Sequence, residues 1–174
     1  MLKKIIVLAG LLVIALVLLL LTTQQSSFSV ESHRDYQVSQ AGLWQVLAEV
    51  RQWPRWWPGA EKAELAGSFS TGNAMHLDLK GMSAETPVIL TRVDRPRILI
   101  WERSGVLMSR AGTRFDLEPI EGGCRLRIEN FIRGPQAMLA HITGEEAFLK
   151  YQSKLLENLD LYLQSRPISG GEKD

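Results

Sequence analysis

Few residues of this chain have the type and spacing that chemistry requires. The three histidines, His33, His76 and His141, stand far apart, and none belongs to an arrangement with metal-ligand spacing. The single cysteine, Cys124, lies on an apolar strand-like segment and is predicted to be a small buried residue rather than a reactive thiolate. No G-x-S-x-G element occurs, which disfavours a hydrolase with a nucleophile elbow. The sequence therefore predicts no catalytic residue set, no metal and no cofactor.

Acidic and amide side chains are weaker candidates for proton transfer. Five carboxylates lie on the strand-like segments: Asp78, Glu102, Asp116, Glu118 and Glu129. Most of them alternate with apolar neighbours and are expected to face water. Glu102 or Asn130 could act as a general acid or base if the fold places either of them beside a bound substrate, although nothing in the sequence indicates a perturbed pKa. His76 is expected on a polar strand face, and His141 lies in the short segment that precedes a long helical segment.

Composition limits the class of protein. The chain has 174 residues, of which 45% are apolar, which suits one domain rather than two. Its 20 Lys and Arg nearly balance its 19 Asp and Glu, so it lacks the basic surplus that binding of nucleic acid requires. One cysteine cannot form an intrachain disulfide.

The amino terminus predicts a transmembrane signal-anchor over residues 1–23. Residues 5–21 are apolar apart from Gly10, and with the two following threonines they reach the roughly 20 residues that span a bilayer as a helix. Lys3 and Lys4 precede this run, and the first charge after it is Glu31. The positive-inside rule then predicts a single pass through the cytoplasmic membrane, with the amino terminus in the cytoplasm and the remaining domain on the outer face.

A cleaved signal peptide is the alternative interpretation. The apolar run is longer than the usual 7 to 15 residues of a signal peptide's apolar region, and no A-x-A-like cleavage site follows it. Residues 24–27 form a short polar linker that would keep the domain close to the bilayer. The domain itself is predicted over 28–166, and the polar residues 167–174 are predicted to be disordered.

Patterns of apolar residues predict an α+β domain. Residues 28–38 suit a first strand, Ser39 suits the N-cap of a helix, and Pro54 and Pro58 limit the segment around them to a helical turn. Strand-like segments then cover 61–69, 73–80, 84–93, 97–104, 106–118 and 124–132. A short helical segment, 136–142, and a long one, 145–164, complete the domain. The long helix has a broad apolar stripe, so it is expected to cover the dry face of a curved antiparallel sheet of six to seven strands.

The order of these segments resembles the helix-grip superfamily, specifically the polyketide cyclase/dehydrase-like branch of the START-related, pollen-allergen-like (SRPBCC) group. The matching segments are Val46-Leu47 before Trp53-Pro54-Arg55-Trp56-Trp57-Pro58, Arg92-Val93 before Arg95-Pro96-Arg97 and Trp101, Thr113-Arg114-Phe115-x-Leu117-x-Pro119 before Gly122-Gly123, and Gly134-Pro135. The similarity covers about 28–165, nearly the whole predicted domain. Members of the superfamily have a deep apolar cavity between the sheet and the long helix, but they share no universal catalytic residue.

The resemblance implies that this cavity holds a hydrophobic small molecule or a lipid. Its expected lining consists of Trp57, Met75, Leu77, Leu79, Trp101, Phe115, Leu117, Leu126, Ile128 and His141. A membrane-anchored binding domain is the leading hypothesis, because no catalytic constellation is present. A cyclase or dehydratase acting in the same cavity is the second, and it would require a pair of inward-facing polar groups. An interaction module for another envelope protein is the third, and an exposed apolar patch would favour it.

The aromatic cluster of Trp53, Trp56 and Trp57 allows two interpretations. Each tryptophan buries on the order of 200 Å² when it packs in a core, so the cluster suits packing of the short helices on the sheet. Arg51 and Arg55 are interleaved with the tryptophans, which would also suit an anchor in a membrane interface. The two interpretations are compatible. The sequence leaves the identity of the ligand and the oligomeric state open.

Overall fold

The computed structural model describes the backbone of residues 2–23, 25–81 and 87–166, and the side chains of 4–18, 25–81, 87–142 and 144–166. The predicted disordered tail at 167–174 and the start of the predicted strand at 84–93 lie outside the described residues. Four α-helices lie in this part of the chain: α1 (Leu2–Thr23), α2 (Gln40–Ala48), α3 (Gln136–Thr143) and α4 (Glu145–Ser165). A 3-10 helix, Val50–Arg55, follows α2.

The sheet is a curled antiparallel half-barrel. Seven strands belong to it within the described residues: β1 (Ser27–Tyr36), β2 (Ala60–Leu65), β3 (Ala74–Leu79), β4 (Val88–Asp94), β5 (Ile98–Ser104), β6 (Arg110–Ile120) and β7 (Gly123–Arg133). Their spatial order is β1-β7-β6-β5-β4-β3-β2, so the first and last strands are neighbours. With the C-terminal helix packed on it, this sheet is a helix-grip arrangement, and the predicted α+β class is confirmed.

Helix α4 covers the dry face of the sheet. Leu155 and Leu159 on its inward stripe are fully buried against apolar side chains of the strands. Arg34 on β1 forms an ion pair with Asp160, which joins the outer part of α4 to the edge of the sheet. Apolar burial on this scale, roughly 25 cal/mol for each Å² removed from water, stabilises the helix in its groove.

The segment between β1 and β2 packs on the sheet and contributes to the main core. Ser39 caps α2 as predicted, because its side chain accepts a hydrogen bond from the Gly42 amide at 3.1 Å. The indole Nε1 of Trp53 donates to the Leu47 carbonyl at 3.0 Å and so holds the 3-10 helix against α2. Trp53, Trp56 and Trp57 are all buried. The packing interpretation of this cluster is therefore correct, and the interpretation of these side chains as membrane-interface anchors is wrong.

The turn between β5 and β6 differs from the prediction. A strand was expected over 106–118, but β6 begins at Arg110, and Val106–Met108 forms a single 3-10 turn. Leu107 and Met108 have positive φ angles of 53° and 59°, a left-handed conformation that is uncommon for residues other than glycine. Gly105 precedes this turn, but neither of the two residues in the left-handed conformation is a Gly or an Asn.

Helix α1 precedes the sheet. Its described side chains run from residue 4 to residue 18, and the large apolar ones among them are exposed. Within the described residues, no helix combines the length and the hydropathy that crossing a membrane requires. The predicted transmembrane helix is therefore not supported by the structure.

Candidate functional site

A cavity of about 320 Å³ lies between the first turns of α4 and the concave face of the sheet. Its walls come from β3 to β7, from α4 and from Trp57. This volume lies near the lower end of the roughly 300 to 1,000 Å³ that is usual for small-molecule sites. Most of the lining side chains are apolar, so the cavity suits a compact apolar molecule or part of a longer one.

Aromatic rings form the inner end of the cavity. Trp57 is stacked on Trp53, with ring centroids 4.8 Å apart and planes 12° apart. The same indole contacts Trp101 and Phe115 at centroid distances of 5.9 Å and 5.8 Å. These contacts fix the position of Trp57, because neighbouring rings oppose its rotation on several sides. The inner wall is thus rigid and apolar.

Further along the strands from the aromatic rings, small and polar residues line the cavity and leave its space unfilled. On β6, Ala111 and Thr113 lie on the same inward face as Phe115 and Leu117, but only the first two line the cavity. Gly112, between them, also lines it: a Cβ at this position would approach Phe131 Cζ to 2.6 Å. The change from bulky to small side chains along one face therefore creates the void.

Two ionisable side chains, Tyr151 and Arg103, contribute to the lining. The Trp57 Nε1 donates a hydrogen bond of 2.5 Å to the Tyr151 hydroxyl. Burial raises the pKa of Tyr151 to about 12, and the Trp57 bond and the charge of Arg103 oppose that rise. Burial lowers the pKa of Arg103, and the nearby Tyr151 opposes this change. At neutral pH the tyrosine keeps its proton and the guanidinium keeps its charge, so both groups are hydrogen-bond donors.

A buried polar network supports part of the cavity wall. Gln152 on α4 is fully buried, and its Nε2 donates to the Val30 carbonyl at 2.8 Å and to Asn130 Oδ1 at 2.9 Å. Its Oε1 accepts from the Ser32 hydroxyl at 2.6 Å. Asn130 Nδ2 in turn donates to Thr113 Oγ1 at 2.8 Å. Asn130 and Thr113 line the cavity, so their polar atoms are held in place by α4 and by two strands.

The lining offers donors but no evident base. Among the described lining residues there is no carboxylate and no imidazole. The described part of the chain also contains no group of three His, Cys, Asp or Glu side chains that could hold a metal ion. The arrangement can bind and orient an oxygen atom of a ligand through Tyr151 and Arg103, while apolar side chains contact the remainder.

Four of the ten residues expected in the lining contribute to it: Trp57, Leu77, Leu79 and Trp101. Five others are buried in the main core instead, on the same faces of their strands but nearer the other end: Met75, Phe115, Leu117, Leu126 and Ile128. The tenth, His141, lies outside the cavity. Its Nε2 is 2.9 Å from the Ser27 carbonyl oxygen, and its ring meets the edge of Phe28 at 5.2 Å.

Sequence reasoning missed the larger part of the lining, which consists of Val88, Arg103, Ala111, Gly112, Thr113, Asn130, Phe131, Ile132, Ala147, Phe148 and Tyr151. Asn130 was considered only as an acid or base. Glu102, the other candidate acid or base, is outside the lining. Its carboxylate oxygens lie 3.9 Å from Arg110 Nη1 and 4.0 Å from Arg133 Nη1. The change from bulky to small or polar residues on one strand face is the pattern that could have located the void.

The fold and the position of the cavity define a helix-grip protein. The family described as polyketide cyclase / dehydrase and lipid transport matches residues 27–164. The chain belongs to this family. No curated protein matches the chain at a significant level.

Solved structures have the same fold at low sequence identity. A protein from Rhodobacter sphaeroides is 18% identical, with a TM-score of 0.62, over 79% of this chain and 92% of that one. Protein Ms6760 from Mycobacterium smegmatis is 15% identical, with a TM-score of 0.59, over 79% and 91% of the two chains. Ara h 8.0201 is 14% identical, with a TM-score of 0.57, over 80% and 99%. At this identity the likeness shows the fold alone.

Proposed function

We propose that the protein binds a hydrophobic small molecule or lipid in the cavity between α4 and the sheet and holds it without chemical change. The cavity, with apolar walls and two donors at one side, is the observation that carries the proposal. Apolar burial, at roughly 25 cal/mol per Å², supplies the affinity. Tyr151 and Arg103 orient the ligand by donating to an oxygen atom at its polar end.

An enzyme of the cyclase or dehydratase type is the second candidate. The presence of two ionisable groups in the lining favours it, because such a reaction needs polar groups that face a bound substrate. Tyr151 and Arg103 could together polarise a carbonyl oxygen. Proton abstraction also needs a base, and the described lining supplies none. Binding without reaction therefore agrees better with the residues that the structure describes.

We also propose that α1 anchors the domain at the outer face of the cytoplasmic membrane. The argument comes from the sequence: an apolar run at residues 5–21, two lysines before it and no charge after it until Glu31. The exposure of the described apolar side chains of α1 agrees with a lipid environment for this helix. A carboxyl-terminal reporter that proved active only in the cytoplasm would overturn the proposed orientation.

The ligand is best sought in the full-length protein purified in a mild detergent. Native mass spectrometry should show a retained apolar molecule, and denaturing extraction should release it with unchanged mass after incubation with protein. A protein that stays empty after incubation with membrane extract would contradict the binding proposal. A released molecule that differs from the one supplied would favour the enzyme instead.

A matched pair of variants links the ligand to this cavity. Leu77 lines the cavity on β3, whereas the adjacent His76 is on the other, exposed face. Leu77→Trp should fill part of the space and reduce the retained ligand at least tenfold. His76→Trp adds the same ring outside and should leave retention unchanged. Equal retention by both variants would mean that the ligand binds elsewhere.

A further inference from the structure

Exposed apolar side chains lie on two segments at one end of the domain. The turn between β5 and β6 exposes Val106, Leu107 and Met108 by 60 to 79%. Helix α3 buries Ala137 and Ala140 against the sheet and exposes large side chains on its other face, Met138, Leu139 and Ile142, by 46 to 78%. These six residues are termed the mouth patch: Val106, Leu107, Met108, Met138, Leu139 and Ile142.

The two segments of the mouth patch are held against each other. The amide of Gln136, the first residue of α3, donates to the Ser109 hydroxyl at 3.0 Å. The Gly105 amide donates to the Ser109 carbonyl at 2.7 Å and closes the turn. Ser109 itself is buried. The turn is therefore a fixed feature, although Leu107 and Met108 adopt a left-handed conformation that is unfavourable for residues other than glycine.

The cavity lies at the same end of the domain. Arg103 is one residue from the end of β5, Ala111 is the second residue of β6 and Ile132 is one residue from the end of β7. Ala147 lies in the first turn of α4, the helix that directly follows α3. The mouth patch thus borders the part of the lining furthest from the buried tryptophans.

The chain also enters the domain here. Helix α1 ends at Thr23, and β1 begins four residues later at Ser27, a distance that chain geometry limits to about 14 Å. The Gly134 amide donates to the Ser26 carbonyl at 2.8 Å, and His141 of α3 contacts the Ser27 carbonyl at 2.9 Å. The start of the domain is therefore held beside α3, which carries three of the six residues of the mouth patch.

Charges near the mouth patch largely cancel. Arg110 and Arg133 are exposed and share the single carboxylate of Glu102. Glu145 and Glu146 occupy the first turn of α4. Electrostatic attraction between this surface and anionic groups is therefore weak. Association through the mouth patch must depend on its apolar side chains.

We propose that the mouth patch docks on a lipid bilayer, so that the cavity opens towards the lipid. A bilayer accepts apolar side chains without a complementary shape, and α1 keeps the domain within reach of it. The inference rests on the proposed anchoring by α1, but it concerns a different surface. It assigns a role to the costly turn at Leu107 and Met108, which presents apolar side chains beyond the sheet.

Fluorescence of a polarity-sensitive label tests this docking in the full-length protein. Leu107→Cys places a label in the mouth patch, and Glu121→Cys places one at the β6–β7 turn, the opposite end of the same strands. The native Cys124 should stay unlabelled, because it is buried and its thiol pKa is raised to about 11. After reconstitution into phosphatidylcholine vesicles, the label at 107 should shift to shorter wavelength and the label at 121 should not.

Separate results distinguish the docking from the anchoring. Protein that does not sediment with the vesicles contradicts the proposed anchoring. Protein that sediments but has a water-like label at 107 overturns the docking alone, as expected if the mouth patch instead serves another protein. The shift should persist in 1 M salt, roughly the concentration at which charge attraction is screened within about 3 Å, and its loss would contradict an apolar contact.

A second set of variants distinguishes loss of docking from local unfolding. Met138→Asp with Ile142→Asp should abolish the shift of the label at 107, since both place charge in the bilayer interface. Leu161→Asp changes another exposed apolar residue, on the C-terminal half of α4, and should leave the shift intact. Far-ultraviolet circular dichroism should be the same for all of these proteins. An undiminished shift in the double variant would overturn the proposal.

Discussion

Tyr151 is the residue that most limits what the cavity can do. Its hydroxyl accepts from Trp57 and has a pKa raised to about 12, mainly by burial. It is therefore a proton-bearing donor across the physiological range. A ligand oxygen at this position would be hydrogen-bonded, but Tyr151 could not remove a proton from it at neutral pH.

The raised pKa of Tyr151 predicts loss of stability in alkali. The folded pKa of about 12 exceeds the unfolded value of about 10, so the folded state keeps the phenolic proton longer. The free energy of unfolding should be independent of this group below about pH 9 and should fall between about pH 10 and 12, by at most about 1.4 kcal/mol per pH unit. Urea denaturation at several pH values would measure this fall.

Tyr151→Phe should make the loss of stability in alkali smaller. Tyr36, whose pKa is also raised by burial, supplies the comparison, since Tyr36→Phe should remove a separate part of the same loss. An alkaline slope that is identical in the protein and in Tyr151→Phe would show that Tyr151 does not titrate as described.

The buried polar network beside the cavity depends on Gln152. Replacement by Leu would leave Ser32, Asn130 and the Val30 carbonyl without their buried partner. An unsatisfied buried group costs roughly 1 to 3 kcal/mol, so Gln152→Leu should lower the free energy of unfolding by at least that amount. The exposed neighbour Ser153→Ala is the control, and equal urea midpoints for the two variants would contradict the prediction.

At the scale of elements, β6 shows how one strand can have two functions. Its inner face begins with Ala111 and Thr113 at the cavity and continues with Phe115 and Leu117 in the core. Alternation predicted which side chains face inward, because the side-chain period of a strand is two. It could not predict where along the strand the space is left empty, because that depends on what α4 and Trp57 fill from the opposite side.

Gly112 sets how closely β6 approaches its neighbours. An added Cβ would meet the Trp101 carbonyl and come within 2.6 Å of Phe131 Cζ. Gly112→Ala should therefore destabilise the protein by about 1 to 3 kcal/mol, as overpacking does, and should disturb the cavity wall. Gly10→Ala is the control, since its Cβ would meet nothing within 4 Å. Unchanged thermal stability of Gly112→Ala would be inconsistent with this packing.

The other elements were predictable to differing degrees. Ser39, the proline-limited turn and the long C-terminal helix were identified because caps, prolines and a 3.6-residue period act locally. The turn at Leu107 and Met108 was missed because its apolar residues continue a strand-like pattern. Tertiary contacts through Ser109 and Gln136 override that pattern.

At the scale of the whole molecule, ligand and fold are thermodynamically linked. A molecule that binds only the folded state raises its stability, by about 2.7 kcal/mol when its free concentration is 100 times the Kd. Returning the extracted ligand to emptied protein should therefore raise the Tm. Leu77→Trp should show little or no rise, whereas His76→Trp should respond like the parent protein. A rise of equal size in both variants would place the binding outside the cavity.

The sheet order has a consequence for how the chain acquires this fold. β1 is the first strand to be synthesised, yet it pairs with β7, from Ser27 with Arg133 to Tyr36 with Cys124. About a hundred residues must therefore emerge before β1 can gain this partner, and such distant pairing is intrinsically slow. Until then the edge of β1 has open hydrogen-bonding groups. The β1 edge of the sheet therefore forms only after the β6–β7 hairpin has emerged, so completion of the fold waits for the end of the strand region.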